Sequence, residues 1–339
     1  MYSFTVYKGS SDGSIKKAAT KKPELTGDQV LVVVTASGLC GTDVHYRAQD
    51  MVLGHEGVGI VDSIGPAVRQ LKKGDRVGWG YEHDSCGLCE LCQSGRETFC
   101  ASRSMYGFAD HDQGSFASGA VWKESFLFKI PDSLTDAEAA PLMCAGATVF
   151  SALNMLADSP IARVGVIGIG GLGHLAIQFA AKMGCDVAVF SGTEAKRSEA
   201  IKLGARSFYA TKDQKTLDIG NKKLDILLVT SSMPPEWNLY IPLLSPGATV
   251  FPLMIVMGDF SIPYQALISM GLRVQGAMVA SRVVQKQMLD FAARNNVKPV
   301  VETFPMSQEG IAEAFAKLTN GQMRYRGVLL PSKGCNVMH

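Results

Sequence analysis

Val164-Gly-Val-Ile-Gly168-Ile-Gly170-Gly171-Leu172-Gly173 decides how the middle of this chain folds. The run 164–168 reads as a buried strand and 173–183 as a helix. Between them stands a G-x-G-x-x-G pattern in the context that gives it meaning, after a strand and opening a helix. One glycine makes the tight turn, another lets backbone approach a pyrophosphate, and the last allows close helix–strand packing. The helix start adds free N–H groups and a partial positive charge. The reading is a dinucleotide site formed by Gly168, Gly170, Gly171, Leu172 and Gly173; the alternative is a glycine-rich turn without a ligand.

Working outward, strand and helix keep alternating. Residues 186–190 read as a strand, 195–203 as a helix, and 225–229 and 248–251 as later strands, which argues for a parallel sheet wrapped by helices. At the tip of the second strand the chain runs Phe190-Ser191-Gly192-Thr193, with Lys196 and Arg197 close behind and Glu194 too late to occupy the tip. A carboxylate there would hold a ribose 2′-hydroxyl. Hydroxyls from Ser191 and Thr193 with the cations Lys196 and Arg197 suit a 2′-phosphate, so the expected dinucleotide is NADP(H). The competing reading makes the two cations the solvated first turn of a helix.

The flanks differ. The first 150 residues are mostly β-like: Val30-Leu-Val-Val-Val34 is a strand run, and Gly57-Val-Gly-Ile-Val-Asp-Ser-Ile-Gly65 suits a curved strand. Helical pattern begins near Ala139, and a last helix at 283–294 precedes more β-like sequence. Domain boundaries are expected near 150 and 281.

The totals describe an ordinary globular chain of about two domains: 339 residues, 47% hydrophobic, 19% charged, net charge +2. That charge makes no case for nucleic acid or a membrane surface. There is no apolar run long enough for a membrane span, no signal-peptide core at the N-terminus, and no anchoring signal in Cys335-Asn-Val-Met-His339. Eight cysteines without a secretory signal favour metal binding or chemistry over disulfides, and a cytoplasmic location.

Four of those cysteines are clustered. Cys86-Gly-Leu-Cys89-Glu-Leu-Cys92-Gln-Ser-Gly-Arg-Glu-Thr-Phe-Cys100 spaces them C-x2-C-x2-C-x7-C, a pattern that can close a tetrahedral cage around one zinc ion. Two disulfides or four unrelated thiols are the alternatives. Other ligand types are scattered: Cys40-Gly-Thr42-Asp43-Val-His45, Gly54-His55-Glu56, and Cys144 in Pro141-Leu-Met-Cys144-Ala-Gly. Taken singly, Cys144 reads as a buried thiol and His45 as a surface histidine. Their joint occurrence ahead of a nucleotide-binding unit points to a second metal site.

These pieces, in this order, resemble the zinc-containing medium-chain alcohol dehydrogenase superfamily, most nearly its cinnamyl alcohol dehydrogenase-like branch. Lys298-Pro-Val-Val-Glu-Thr-Phe304 and Arg324-Tyr-Arg-Gly-Val-Leu-Leu330 extend the resemblance over nearly the whole chain. It implies an α/β protein: a GroES-like, mostly-β catalytic domain from 1–150 and 282–339, and a Rossmann doubly wound parallel-sheet cofactor domain at 151–281. It implies two zinc ions per chain, one held by Cys40, His55 and Cys144, the other a structural zinc in the four-cysteine lobe. Glu56 would lie beside the first as a further or exchanging ligand, and Asp43 would orient His55. Thr42 would pass a proton to or from the substrate oxygen and His45 would carry it outward. Arg326 would pair with the cofactor pyrophosphate. The implied reaction moves a hydride between NADP(H) and a primary alcohol or aldehyde, aromatic or allylic ones included, in a homodimer joined along the apolar stretch 250–262.

Same-scaffold rivals are a polyol dehydrogenase, against which Cys144 argues because that branch usually carries a carboxylate there, and an iminium or alkene reductase, against which Thr42 and His45 argue. A non-catalytic nucleotide-binding protein would be expected to lose these residues. One departure stands out. The loop from Tyr46 to Leu53 is short, which predicts a wider substrate entrance, with Tyr81, Trp79 and Met105 as expected lining residues.

Overall fold

A computed structural model describes residues 1–155, 162–256, 258–332 and 337–338. Parts of the expected domain junction (156–161), of the apolar stretch (257) and of the C-terminal tail (333–336 and 339) lie outside the described residues. The chain divides into two units, Met1–Ala147 with Val279–His339, and Thr148–Met278. The sequence placed these divisions near 150 and 281. No helix among the described residues is long and apolar enough to cross a membrane.

The first unit is built on a seven-stranded sheet with Gln29–Leu39 at its centre. This strand pairs antiparallel with Gly57–Ile64, Gly119–Lys123 and Arg326–Leu330. Neighbours on every side explain why it reads as a continuous apolar run rather than an alternation. Residue parity then divides the run between two cores. Val30, Val32 and Val34 join a cluster with Val61, Val77, Trp79, Trp122 and Phe315. Leu31 joins Phe4, Val6 and Val121 on the other face. Trp79, expected at the substrate entrance, is instead core at 1% exposure, its ring 6.2 Å from that of Trp122.

The second unit is a six-stranded parallel sheet ordered Ser207–Ala210, Asp186–Ser191, Arg163–Ile167, Leu224–Val229, Leu244–Pro252, Arg273–Val274. In chain order that is 3-2-1-4-5-6, the doubly wound arrangement whose ligands bind at the carboxyl ends of the strands, where the winding reverses. Arg163–Ile167 is buried throughout, as the first strand of such a sheet must be. The short strands Ser207–Ala210 and Arg273–Val274 carry too little apolar pattern to be read from sequence. Of the stretch 250–262, Val250 and Phe251 are buried, whereas Ile255, Val256 and Phe260 are exposed.

Candidate active site

Strand Gln29–Leu39 runs straight into helix Gly41–Tyr46, and Cys40 stands at the junction. Asp43, buried in the first turn, accepts the Cys40 N–H on Oδ2 at 2.9 Å. Its other oxygen meets His55 Nδ1 at 3.1 Å. One carboxylate thus fixes two side chains that arrive on different elements. His55 follows Gly54, whose φ of +92° and lack of space for a Cβ (Phe116 Cδ1 would lie at 2.3 Å) require glycine. Gly38 is needed in a similar way: a Cβ there would fall 1.9 Å from Glu56 Oε2.

Cys144 comes from a third place. Helix Asp136–Pro141 starts with a reciprocal cap between Thr135 and Glu138. Pro141 lacks the N–H that an α-helical ladder would use, and the chain widens into a π turn over Leu142–Gly146 that holds Cys144. The result is convergence: one ligand atom each from Cys40, His55, Glu56 and Cys144 lies within 4.8 Å of the others, and all four residues are buried.

The donor set fits zinc. With Nδ1 committed to Asp43, His55 keeps a buried Nε2 that has no hydrogen-bond partner among the described residues. A metal ligand oriented by a carboxylate looks like this. The shared hydrogen bond between the thiols pulls Cys40 well below the ordinary thiol range and drives Cys144 up. Glu56 bonds Arg326 through Oε1, while its buried Oε2 has no hydrogen-bond partner among the described residues. Burial raises the Glu56 carboxyl to about 7 against the opposing pull of Arg326. Thr42 is buried with Oγ1 3.7 Å from Cys40 Sγ, and His45 lies exposed on the same helix.

The four-cysteine lobe also fits a metal. Sulfur–sulfur separations are 3.5 Å for Cys89–Cys92, 3.6 Å for Cys86–Cys100 and 3.8 Å for Cys86–Cys92. Disulfides need about 2.05 Å. The edge of a tetrahedron with zinc–sulfur distances of about 2.3 Å is roughly 3.8 Å. Backbone N–H groups of Leu88 and Cys89 hold the Cys86 thiol at about 6, so that it is mostly thiolate at neutral pH. Glu97 in the lobe accepts the Arg282 N–H at 2.6 Å and its Nε–H at 3.1 Å, tying the lobe to helix Arg282–Asn295.

In the second unit, Gly168 takes φ +91° at the end of strand Arg163–Ile167 and packs on Ser231. Gly173 opens helix Gly173–Lys182 so close to the turn that a Cβ would fall 1.9 Å from the Gly168 carbonyl oxygen. Gly170 instead borders open space, with no atom within 4 Å of its Cβ position, which leaves room for a pyrophosphate. Gly171 and Leu172 complete the turn, both half-buried. Ser191 ends strand Asp186–Ser191, and Thr193 follows exposed. Lys196 donates to the Ile169 carbonyl at 2.8 Å, and Arg197 pairs with Glu194 at 2.9 Å while lying over the Phe208 ring. These two cations therefore have protein partners that the sequence did not reveal.

Other features were missed as well. Arg326, expected at the pyrophosphate, also pairs with Glu56 in the core, a contact that the sequence does not reveal. Tyr106 lies against His55, the rings tilted by 30° with centroids 4.7 Å apart. Tyr81 meets the same imidazole edge-on at 5.5 Å, and Met105 is buried.

Comparison with known proteins agrees with this geometry. Residues 26–132 match the model of the alcohol dehydrogenase GroES-like domain, and residues 171–294 that of the zinc-binding dehydrogenases. An NADP-dependent alcohol dehydrogenase C of Mycolicibacterium smegmatis is 34% identical over 86% of this chain and 87% of its own. An aldehyde reductase of Synechocystis is 34% identical over 91% of this chain and 93% of its own. Among solved structures, a cinnamyl alcohol dehydrogenase from Sorghum bicolor superposes with a TM-score of 0.87 at 30% identity, covering 96% of this chain and 97% of that one.

Proposed function

The chain belongs to the zinc-containing medium-chain alcohol dehydrogenase superfamily, and from that premise we propose that it interconverts primary alcohols and aldehydes, aromatic or allylic ones included, with NADP(H). The observation that carries the reading is the buried convergence of Cys40, His55 and Cys144 with Glu56, in which His55 Nε2 has no hydrogen-bond partner among the described residues. Cys40, His55 and Cys144 would hold the catalytic zinc, and Cys86, Cys89, Cys92 and Cys100 a structural one, two ions per chain. When bound, zinc supplies Lewis acidity at the substrate oxygen and NADP(H) supplies or takes the hydride.

The remaining work falls to the chain's own side chains. Asp43 holds His55 in one tautomer and one orientation. The Thr42 hydroxyl, next to Cys40, gives or takes the proton at the substrate oxygen. Exposed His45 exchanges that proton with solvent. Glu56 and Arg326 neutralise each other beside the thiols, and Arg326 remains the candidate for the cofactor pyrophosphate. Gly168, Gly170 and Gly173 shape the cofactor turn. Ser191 and Thr193, with Lys196 and Arg197 released from their present partners, would take the 2′-phosphate; the exposed Arg197–Glu194 pair is weak enough to exchange.

A homodimer is part of the proposal. Ile255, Val256, Phe260, Tyr264, Ile268 and Val274 are all exposed within the second unit, apolar side chains of the kind that a second copy would cover. So is a cytoplasmic site of action. The test is direct: purified protein is held with NADPH or NADH and a panel of aldehydes while absorbance of the reduced cofactor is followed. Turnover of aromatic and aliphatic aldehydes with a clear NADPH preference is expected. No turnover with any aldehyde would sink the enzyme reading, and equal use of the two cofactors would defeat the NADP part.

A further inference from the structure

Glu97 has no part in the chemistry above, yet it anchors the helix that backs Cys144. It is 1% exposed and belongs to the four-cysteine lobe, in the short turn Glu97–Phe99 that leads into Cys100. The helix it ties, Arg282–Asn295, has no cap of its own. Ser281 stands at the N-cap position without a side-chain bond to the helix, and its buried Oγ has no hydrogen-bond partner among the described residues. The first N–H groups of a helix need acceptors from outside its own ladder. Glu97 Oε1 supplies one, taking the Arg282 N–H at 2.6 Å together with the Arg282 Nε–H at 3.1 Å. A carboxylate there also meets the positive end of the helix dipole. The Arg282 guanidinium lies over the Phe126 ring at 5.1 Å, and Val283 Cγ1 is 3.5 Å from where a Cβ on Gly95 would stand. Lobe and helix thus meet at two successive residues.

The next turn of this helix packs on the π turn. Gln285, 4% exposed, directs Nε2 to Met143 Sδ at 3.8 Å. Met288 is fully buried, with Sδ 3.3 Å from the Cβ position of Gly146. Residues 285 and 288 share a helix face. Met143 and Gly146 bracket Cys144 within the turn Leu142–Gly146. Met143 is also confined by Gly78 and Gly80, whose Cβ positions fall 2.6 Å from its Sδ and 2.5 Å from its carbonyl oxygen. A π turn departs from the α-helical ladder, so packing on its flanks holds its shape.

We propose that Glu97 is a positioning residue for Cys144, acting through helix Arg282–Asn295: the four-cysteine lobe seats the helix, and Gln285 and Met288 of the helix seat the π turn. The proposal rests on the reading of Cys40, His55 and Cys144 as metal ligands. Stabilising the lobe alone is the competing role, and the two separate at the Cys40–His55–Cys144 site.

The experiment uses the full chain, reconstituted with Zn2+ and with Co2+. Affinity of each metal equivalent is read by competition with a chromophoric chelator. The cobalt forms are compared in the near ultraviolet, where thiolate-to-cobalt charge transfer reports bound thiolates. In Glu97→Ala the equivalent at Cys40, His55 and Cys144 should weaken roughly tenfold, the size seen when groups supporting metal ligands are removed, and its charge-transfer band should fall. Glu97→Gln keeps an acceptor for the Arg282 N–H and should restore most of both. Met288→Ala leaves the lobe intact and should give the same signature, and adding Glu97→Ala to it should bring little further loss. Native affinity and a native charge-transfer band at that site in Glu97→Ala would overturn the proposal, whatever happens to the four-cysteine equivalent. So would native values in Met288→Ala, a test that stands even where Glu97→Ala does not fold, or full additivity of the two changes. A native chain that binds a single equivalent would overturn the underlying site reading as well, and that outcome is visible before any variant is made.

Discussion

Asp43 Oδ1 stands 3.1 Å from His55 Nδ1, with both side chains buried, and its Oδ2 holds the N–H of Cys40. The same carboxylate therefore sets the direction of two proposed metal ligands from two different elements. Asp43→Asn would keep its shape but lose its charge and offer His55 the wrong partner. We predict a loss of roughly 10- to 100-fold in affinity for the second zinc equivalent, with the four-cysteine equivalent retained. Chelator competition on the purified variant checks both halves.

Glu56 and Arg326 are also joined in the core, but they are not equivalent. The Glu56 carboxyl, already raised to about 7 by burial, can become neutral when its partner is removed. Arg326 cannot. Glu56→Gln should therefore destabilise by about 3–5 kcal/mol, the cost of a buried charge left unpaired. Arg326→Met should cost visibly less, and the double variant should recover part of the Glu56→Gln loss. Urea unfolding of the three variants measures this, and equal costs for the two single changes would contradict the asymmetry.

Glu124 offers a pH test away from the metal sites. Burial raises its carboxyl, but N–H groups of Arg69, Gln70 and Leu71 outweigh that and hold it below the ordinary value of 4.5. A depressed folded value means the stabilisation is complete above pH 4.5 and is lost as pH falls through the folded value. Glu124→Gln should lower stability by roughly 1–2 kcal/mol at pH 7. The gap from the native protein should narrow steadily below pH 4.5. Unfolding curves at pH 7, 5 and 3.5 would show it, and a gap independent of pH would be the contrary result.

Ser191 ends its strand where a ribose-binding carboxylate would stand. Ser191→Asp would oppose a 2′-phosphate and supply an acceptor for a 2′-hydroxyl. The ratio of kcat/KM for NADPH over NADH should fall at least roughly tenfold, equivalent to about 1.4 kcal/mol. An unchanged ratio would mean that the 2′ position is recognised elsewhere.

Much of this molecule is legible in its sequence, for physical reasons that differ by region. The glycine turn at 168–173 is legible because Gly168 and Gly173 answer local steric demands, and the four cysteines because short, regular spacing suits a tetrahedral thiol cage. Val30–Val34 is legible as a strand but not as two cores, since parity matters only once the neighbouring strands are in place. Trp79 misleads because an aromatic residue beside a site is indistinguishable by position from one beneath it. Tyr106, the Glu56–Arg326 pair and the Lys196–Ile169 bond are contacts between distant segments, joined only by the fold. Their residue types carry no spacing signal.

The central claim is that chemistry resides at Cys40, His55 and Cys144 while the four-cysteine lobe is structural. Metal-free protein should be titrated with zinc, following NADPH-dependent aldehyde reduction at each equivalent, beside a Cys144→Ala variant treated identically. We predict that the native chain takes up two equivalents and gains activity only as the Cys40–His55–Cys144 site fills, and that Cys144→Ala binds one equivalent, stays folded and remains inactive. Full activity in Cys144→Ala, or in native protein carrying zinc in the four-cysteine lobe alone, would contradict the account.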